Sequence, residues 1–284
     1  MEPLINLDPG KCIRCYACVR SCPVKAIRLH TAGGYPEVNN DRCIGCGECV
    51  LVCHPGAIQY RSSIDDAKAL FASGEKIAAV LSPSISSEFD DVSDHRKFVT
   101  MIKALGVSYV NEESFAVDLV AYRYLSLLND FKGRYYITSI DPVVVNYVEK
   151  YHPNLVSNLA PVDTPMLAMA KVVRSVYGKD VKVMYIGPEI ASKNEALRSE
   201  ADARVDVVLT FEELRQLFID YNIDESNLEF SDFDGPLSYK GSLYPLRNGF
   251  AQAADMDENL LTSSMVIVEG KKNMIDAIKE FDEK

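Results

Sequence analysis

CIRCYACVRSCPVKAI (residues 12–27) and CIGCGECVLVCHPGAI (residues 43–58) decide the fold of the first part of this chain. Both runs read C-x2-C-x2-C-x3-C, so they form an internal repeat. Together they hold all eight cysteines, and residues 54–284 contain none. In a long chain that begins with no export signal, such a local group of cysteines indicates a metal site and not a disulfide framework.

The spacing of each run is that of a bacterial two-cluster ferredoxin. Three thiolates from one short loop reach three corners of a cubane, and the fourth corner takes a cysteine from the other run. We therefore expect two 4Fe-4S clusters. The expected ligands are Cys12, Cys15, Cys18 and Cys53 for cluster one, and Cys43, Cys46, Cys49 and Cys22 for cluster two. Paired zinc sites are the alternative, although zinc sites usually separate two CxxC pairs by a longer gap.

Neighbouring residues fit the cluster interpretation. Pro23 and Pro55 lie just after the fourth cysteines, where the chain must turn. Gly45 and Gly47 let the backbone approach the second cluster and donate N–H groups to sulfur. His54 has two interpretations: it couples a proton to an electron, or it is an ordinary surface histidine after a turn.

The charge of the chain is unevenly distributed. The net charge is −11, which argues against nucleic acid as a main partner. Residues 1–63 hold seven Lys/Arg and five Asp/Glu, a balance of +2, which leaves −13 for the rest. No apolar run approaches the roughly 20 residues that span a bilayer, and MEPLINLDPGKC is not a signal peptide. We expect a cytoplasmic protein without membrane insertion.

Beyond residue 75 the pattern changes to alternating strands and helices. We expect a ferredoxin domain over residues 1–63, a helical linker over 64–75 and an α/β domain over 76–284. The predicted strands are KIAAVLSPS, VSYVNE, RYYITS, VKVMYIGPE, VDVVLT and MVIVEG. Strands that alternate with helices indicate a mainly parallel sheet covered on both faces. The N-terminal domain is then α+β and ferredoxin-like.

Polar residues gather where these strands end, and ligands bind at such carboxyl ends in open α/β sheets. The candidates are Ser82-Pro83-Ser84, Asn111-Glu112, Ser139-Ile140-Asp141-Pro142, Gly187-Pro188-Glu189 and Thr210. Neither a dinucleotide-binding GxGxxG nor a P-loop GxxxxGK[ST] is present. The four histidines are too scattered in sequence to indicate a triad or a metal site.

The order of these motifs resembles the iron-only (FeFe) hydrogenase family over nearly the whole chain. The resemblance lies in LSPSISSEF, ALGVSYVNEESFAVDLVAYRY, YITSIDPVVVNYVEKYHPNLVSNLAPVDTPM, YIGPEIASKNEA and DVVLTFEEL. The family's T-S-C-C-P-G-W segment matches the third of these, and its M-P-C-x-A-K-K-x-E segment matches the fourth. The resemblance implies an α/β hydrogenase-like domain with mainly parallel sheets.

This chain departs from the family at the cysteines that hold the catalytic H-cluster. Ile140 and Asp141 occupy the two cysteine positions of the first motif, and Glu189 occupies that of the second. The family's last cysteine pair follows the segment equivalent to MVIVEGKKNMIDAIKEFDEK, where this sequence stops. Carboxylates are hard ligands and hold a cubane poorly. Lys193 is retained, but we expect no H-cluster and no hydrogen production.

Asp141 and Glu189 therefore have two interpretations. If the family's ligand positions are preserved in space, the two carboxylates lie close together as an acid–base pair or a hard-metal site. The simpler interpretation is that each fills a vacated polar position. Asp141 before Pro142 is a good helix N-cap with proline at N1.

The sequence thus predicts an iron-sulfur electron-transfer protein, a subunit of an anaerobic redox complex that does not itself produce hydrogen. Its expected partners are iron-sulfur, flavin or nicotinamide subunits, and an oligomer is possible. Two alternatives stay open. One is a redox sensor that uses the hydrogenase-like domain, and the other is an enzyme with a different substrate in the former H-cluster crevice.

Overall fold

The cysteine-rich region forms two small antiparallel ribbons and two short helices in the computed structural model, which describes residues 3–29, 34–256 and 265–283. The first ribbon pairs β1 (Ile5–Leu7) with β4 (Ile58–Tyr60), and the second pairs β2 (Ile27–Leu29) with β3 (Pro36–Val38). The helices are α1 (Ala17–Ser21) and α2 (Glu48–Leu51). The α+β expectation for this region is confirmed.

The rest of the chain is built on a four-stranded parallel sheet with the order β6-β5-β7-β8. Its strands are β5 (Ile77–Leu81), β6 (Tyr109–Glu112), β7 (Lys182–Ile186) and β8 (Val207–Leu209). Because β6 and β7 lie on opposite sides of β5, the connections diverge there and leave a crevice at the carboxyl ends. The predicted parallel α/β architecture is confirmed.

Helices cover both faces of this sheet. Their bounds are α3 Ile64–Ala72, α4 Ile85–Glu88, α5 His95–Ala104, α6 Ser114–Asn129, α7 Pro142–Tyr151, α8 Pro165–Tyr177, α9 Ser192–Arg198, α10 Phe211–Asp220, α11 Gly249–Ala253 and α12 Lys271–Glu283. Short 3-10 helices occupy Pro153–Asn158 and Lys240–Leu243. The start of α10 carries a capping box, in which Thr210 and Glu213 are bonded reciprocally.

The strands alternate between two apolar cores. Ile77, Ala79 and Leu81 of β5 face α3, α5 and α10 on one side. Ala78 and Val80 face α6 and α8 on the other. All five residues of β5 are buried, which explains why the strand reads as a continuous apolar run in the sequence.

A third core joins the cysteine-rich region to the rest of the chain. Ile44 and Ile58 pack in one cluster with Tyr147 and Val148 of α7 and with Ile278 of α12. The predicted linker is also packed. Its helix, α3, contributes Ala67 and Leu70 to the core beneath the sheet. Because contacts cross both proposed boundaries, the division at residues 63 and 76 stays a prediction about domains.

Two predicted strands are wrong. In RYYITS, only Ile137 makes a strand-type bridge, to Leu159, while Tyr135 and Tyr136 are exposed. Ser139 instead donates to backbone carbonyls and accepts a bond from Tyr124. In MVIVEG, residues 266–270 form no regular element. Both segments have strand-like composition, but neither is paired in the four-stranded sheet, and pairing decides whether such residues form a strand.

Candidate iron-sulfur sites and the adjoining carboxyl cluster

The two cysteine runs are a repeat in structure as well as in sequence. Arg14 and Tyr16 have left-handed backbone φ angles, each of 58°. The equivalent positions in the second run are Gly45 and Gly47, with φ of 81° and 76°. Each loop then leads into a short helix, α1 or α2. The same turn is therefore made twice, once with ordinary side chains and once with glycine.

The thiols fall into two neighbouring groups, which exchange the fourth cysteine between runs. Burial raises the pKa of Cys18, and the nearby thiols of Cys53 and Cys12 raise it further. Cys53 of the second run thus lies beside the first loop. The ligand set of cluster one, which includes Cys53, stays a prediction.

The second group shows the converse exchange. Burial raises the pKa of Cys49 to about 12, with contributions from Cys43, Cys46 and Cys22 and a smaller one from Cys18. A cavity lies between the four thiols of the predicted cluster-two set. Its lining includes Cys22, Cys43, Cys46 and Cys49 together with Pro23, Val24, Ala26, Ile27, Ile44 and Gly47. Four thiols around a space with an otherwise mainly apolar wall suit a 4Fe-4S cluster.

Backbone amides point at three of the sulfurs. Gly45 N–H donates to Cys43 Sγ at 3.4 Å, as the sequence predicts for this glycine. Ala26 donates to Cys22 Sγ and Ile58 to Cys53 Sγ, each at 3.2 Å. Sequence reasoning missed these two donors because any residue supplies an N–H. Such bonds favour the thiolate and tune a cluster's reduction potential.

Among residues 3–29, 34–256 and 265–283, no three Cys, His, Asp or Glu side chains converge where they could hold one metal ion. A cubane takes its thiolates at separate corners, so its ligands surround a larger space than a single zinc ion does.

The two thiol groups differ in exposure. Cys15 is exposed, and Cys12 and Cys53 are half-buried. In the second group, Cys22 and Cys49 are both buried. His54 is also exposed, as its surface interpretation expects. The first group is therefore the one that faces solvent more openly.

The second loop lies directly against the segment that follows β7. A Cβ at Gly45 would lie 2.9 Å from the Cβ of Ala191, and one at Gly47 would lie 3.2 Å from Cδ1 of Ile190. Glycine is thus needed at Gly45 for close approach as well as for its φ angle. The contact places the second thiol group next to Glu189.

Helix α7 holds the same loop from another side. The side-chain amide of Asn146 donates to the carbonyl of Ile44 at 3.1 Å, and Lys150 Nζ donates to the carbonyl of Cys43 at 2.6 Å. Both donors lie on the helix that begins after Asp141. The turn quoted from the hydrogenase-like motif therefore positions the helix that supports the second cysteine loop.

Asp141 is the N-cap of α7, as predicted. Its Oδ1 accepts the N–H of Val143 at 2.7 Å, and Pro142 occupies the first helical position. Burial raises its pKa, while backbone N–H groups and the positive charge of Lys271 act in the opposite direction. Lys271 also pairs with Glu48, so this cation lies between Asp141 and the second cysteine run.

Asp141 belongs to a group of four carboxyls under the carboxyl ends of the strands. Burial raises the pKa of Glu189 well above its usual range, and the charges of Asp141, Glu113 and Glu195 raise it further. Burial likewise raises the pKa of Glu113 and of Glu195 to about 7. Asp141 and Glu189 each keep part of their surface accessible to solvent.

Sequence reasoning found Asp141 and Glu189 but missed Glu113 and Glu195. Glu113 accepts a hydrogen bond from Tyr185 at 3.1 Å, and one buried oxygen of Glu195 has no hydrogen-bond partner. Glu113 follows the strand end Asn111-Glu112, which offered a signal. Nothing in the sequence marked Glu195.

Lys193 has a structural role. Its Nζ donates to Glu213 at 2.8 Å, to Ser63 Oγ at 2.6 Å and to the carbonyl of Val208 at 2.9 Å. Both members of the ion pair are buried. The bond to Ser63 ties the junction after the cysteine-rich region to β8 and α10.

A cleft of about 770 Å³ opens where β5 and β6 end. Ser82, Pro83, Glu112 and Ser114 line it at the strand ends. Ser82, Pro83 and Glu112 are strand-end candidates from the sequence, and Ser114 lies two residues after Glu112. Ser82 also hydrogen-bonds Glu113, so the cleft adjoins the cluster of four buried carboxyls.

Comparison with known proteins identifies both parts of the chain. Residues 75–284 match the family described as iron only hydrogenase large subunit, C-terminal domain. The chain belongs to the iron-only hydrogenase family. Residues 4–54 match a 4Fe-4S dicluster domain, in agreement with the two cysteine runs.

Individual relatives are similar over part of their length. The chain is 26% identical over 280 residues to the NADP-reducing hydrogenase subunit HndD of Solidesulfovibrio fructosivorans, covering 84% of this chain and 48% of HndD. The cysteine-rich region is 39% identical over 61 residues to the pyruvate synthase subunit PorD of Thermotoga maritima, covering 22% of this chain and 59% of PorD. A variant of the [FeFe]-hydrogenase HydA1 from Chlamydomonas reinhardtii matches with a TM-score of 0.55 at 19% identity.

That structural match covers 63% of this chain and 52% of HydA1, so this chain spans about half the length of HndD and HydA1. The HydA1 likeness supports the fold. The HndD and PorD matches, with the dicluster domain, support an iron-sulfur role. In the described part of the chain, every helix is too short or too polar to cross a membrane.

Proposed function

We propose that this chain is an iron-sulfur electron-transfer subunit of a larger anaerobic, cytoplasmic redox complex and does not itself produce hydrogen. One observation carries the proposal: Cys53 lies near Cys18 and Cys22 lies near Cys49, while residues 76–284, which match the hydrogenase family, contain no cysteine. When bound, two 4Fe-4S clusters supply single-electron transfer.

The proposed ligands follow the crossed arrangement. They are Cys12, Cys15, Cys18 and Cys53 for cluster one, and Cys43, Cys46, Cys49 and Cys22 for cluster two. The amide donors at Gly45, Ala26 and Ile58 support thiolate character at three of these positions. The proposed domain division is 1–63, 64–75 and 76–284.

The large domain serves in this proposal as a scaffold that docks the second cysteine loop. Asp141 and Glu189 stand where the family resemblance places thiolates, but burial favours their neutral form. A neutral carboxylic acid is a poor iron ligand, and even an ionised one is a hard ligand unsuited to a cubane. We therefore propose that no H-cluster forms in this chain.

The assignment is tested by serine variants of the exchanged cysteines. Cys22→Ser and Cys46→Ser should remove the same cluster, because both lie in the second group, whereas Cys53→Ser should remove the other one. Each variant, purified without oxygen, should keep about four of about eight irons. Electron paramagnetic resonance (EPR) spectra identify the cluster that remains. If Cys22→Ser instead matched Cys15→Ser, the crossed assignment would be wrong.

A second candidate function is an enzyme with a different substrate in the former H-cluster crevice. The cluster of four buried carboxyls beside a cleft of about 770 Å³ favours an enzymatic function, since paired acids with shifted pKa values are suited to proton transfer. The double variant Asp141→Asn, Glu189→Gln separates the candidates. The electron-transfer proposal expects unchanged cluster content and reduction, and any turnover that this variant abolishes would support the enzyme.

A further inference from the structure

The cleft of about 770 Å³ has the size and the position of a small-molecule site. Pockets for small ligands have volumes of about 300–1,000 Å³. The strand register pairs Leu81 with Glu112, so the last residues of β5 and β6 lie side by side in its lining. Ligands of open parallel sheets bind at this end of the strands. The lining comes from residues 81–114 and 232–242, so the cleft is separate from the cysteine loops.

Aromatic rings from two parts of the chain line the cleft. The rings of Phe89 and Phe98 lie 4.8 Å apart. The ring of Phe233 is stacked on that of His95, with centroids 6.3 Å apart and planes 9° apart. Leu237 adds an apolar side chain that is 66% exposed. Such a lining suits a ligand with a flat apolar body.

The charged side chains of the lining are acidic. They are Asp90, Glu112 and Asp232, and the described lining contains no lysine or arginine. Asp232 lies near Arg96, which also bonds to Asp94, so its charge is partly offset.

Asp90 and Glu112 are different, because in the described part of the chain neither forms an ion pair with a lysine or arginine. Arg215, which lies close by, pairs instead with Glu88 and Asp91. Carboxylates without a cation of their own give the cleft a negative potential, which attracts a positively charged ligand.

Glu112 is already held in place at the end of β6. It is half-buried, and its Oε2 accepts a hydrogen bond from Ser238 Oγ at 3.3 Å. The next residue, Tyr239, donates its backbone N–H to Asp118 of α6 at 2.6 Å, which fixes the segment that carries Ser238. A carboxylate has about four acceptor positions, so the bond from Ser238 leaves capacity for an ammonium group. A fixed and partly shielded carboxylate binds a cation better than an exposed one does.

The lining does not suit a metal ion. Over residues 3–29, 34–256 and 265–283, no three Cys, His, Asp or Glu side chains converge on one point. Calcium takes six to eight oxygen ligands, and magnesium requires near-octahedral geometry. An organic amine needs less, because one carboxylate can hold its ammonium group while apolar side chains contact its body.

We propose that the cleft binds a small organic cation, a primary amine with a flat apolar body. Glu112 accepts hydrogen bonds from the ammonium group, and the rings of Phe89, Phe98 and Phe233 contact the body. Asp90 and Asp232, both exposed, add negative potential at the mouth of the cleft. This binding site goes beyond the proposed electron-transfer function and does not depend on it.

Three probes that share an indole ring test the proposal. They are tryptamine, which is a cation, tryptophol, which is neutral, and indole-3-propionate, which is an anion. Each is titrated calorimetrically into the intact, cluster-loaded chain. The test variant is Glu112→Gln, which removes the charge but keeps the shape. The matched control is Asp180→Asn, because Asp180 is an exposed carboxylate just before the amino end of β7, away from the cleft.

Tryptamine should bind more tightly than tryptophol, and indole-3-propionate should bind most weakly. Glu112→Gln should weaken tryptamine binding by about tenfold and tryptophol binding by less than about twofold, because only the ammonium uses the charge. Asp180→Asn should change either affinity by less than about twofold, although it alters the net charge equally. Binding of tryptophol or of the anion as tight as that of tryptamine, no binding of tryptamine, or equal effects of the two variants would overturn the proposal.

A second variant places the ligand in the cleft and leaves the carboxylates unchanged. Ser86 is an exposed residue of α4 that lines the cleft, so Ser86→Trp should fill part of the space. It should weaken tryptamine and tryptophol alike, and unchanged binding of both would mean that the probes bind elsewhere. Iron content and EPR spectra test the electron-transfer function separately, so either proposal can fail while the other stands.

Discussion

Replacing Gly45 by alanine should weaken the contact between the second cysteine loop and the large domain. Two costs add. A Cβ at a left-handed φ, here 81°, costs about 1–2 kcal/mol. The same Cβ would lie 2.9 Å from Cβ and 3.1 Å from Cα of Ala191, and such overpacking costs about 1–3 kcal/mol. We expect Gly45→Ala to destabilise the chain by about 2–5 kcal/mol.

Gly56→Ala is the matched control, because Gly56 has a φ of 65° but no atom within 4 Å of an added Cβ. It should lose only the backbone cost, so the difference between the variants measures the contacts at Gly45, with Ala191 and, at 3.2 Å, with Cδ2 of Leu4. Thermal unfolding of both cluster-loaded variants without oxygen should give midpoints several degrees apart, at about 2–4 °C per kcal/mol. Equal midpoints would refute the close approach of the loop to the large domain.

Three further variants test other parts of the structure by equilibrium unfolding. Lys193→Met should cost about 3–5 kcal/mol because it leaves the Glu213 carboxylate buried without its partner, and the double variant with Glu213→Gln should cost less than the sum of the two single changes. Glu113 has a folded pKa of about 7 against an ordinary 4.5, so folding takes up a proton and the stability falls as pH rises between these values. Glu113→Gln should remove that fall. The free energy of unfolding of the variant, relative to that of the native chain, should therefore rise by about 3 kcal/mol between pH 4 and pH 8. Parallel pH profiles of the two proteins would contradict the raised pKa. Asp141→Ala should cost about 0.5–2 kcal/mol and Asp141→Asn much less, since asparagine also caps helices; equal losses would mean that the carboxylate acts by its charge.

The sequence predicted the features that depend on local chemistry. Asp141-Pro142 predicted the start of α7. The cysteine spacing predicted a 4Fe-4S dicluster domain, which the family match to residues 4–54 supports, while the ligand sets of the two clusters stay a prediction. The continuous apolar run of β5 predicted a strand buried on both faces. In each case the signal lies within a few residues, and the tertiary structure does not oppose it.

Features that depend on distant partners were missed or wrong. RYYITS has strand composition, but hydrogen bonds of Ser139 to the carbonyls of Ala160 and Val162 fix that segment without a sheet. The cluster of four buried carboxyls brings together Glu113 and Glu195, which are 82 residues apart in the sequence. No local sequence pattern indicates that these two side chains approach each other. Burial and pairing across the fold decide both outcomes.

The most direct test of the central claim is an anaerobic iron determination together with EPR spectra of the dithionite-reduced chain. The account predicts about eight irons per chain and the signals of two magnetically interacting 4Fe-4S clusters, with no hydrogen uptake or evolution. A further iron centre, hydrogen turnover, or bound zinc in place of iron would contradict it.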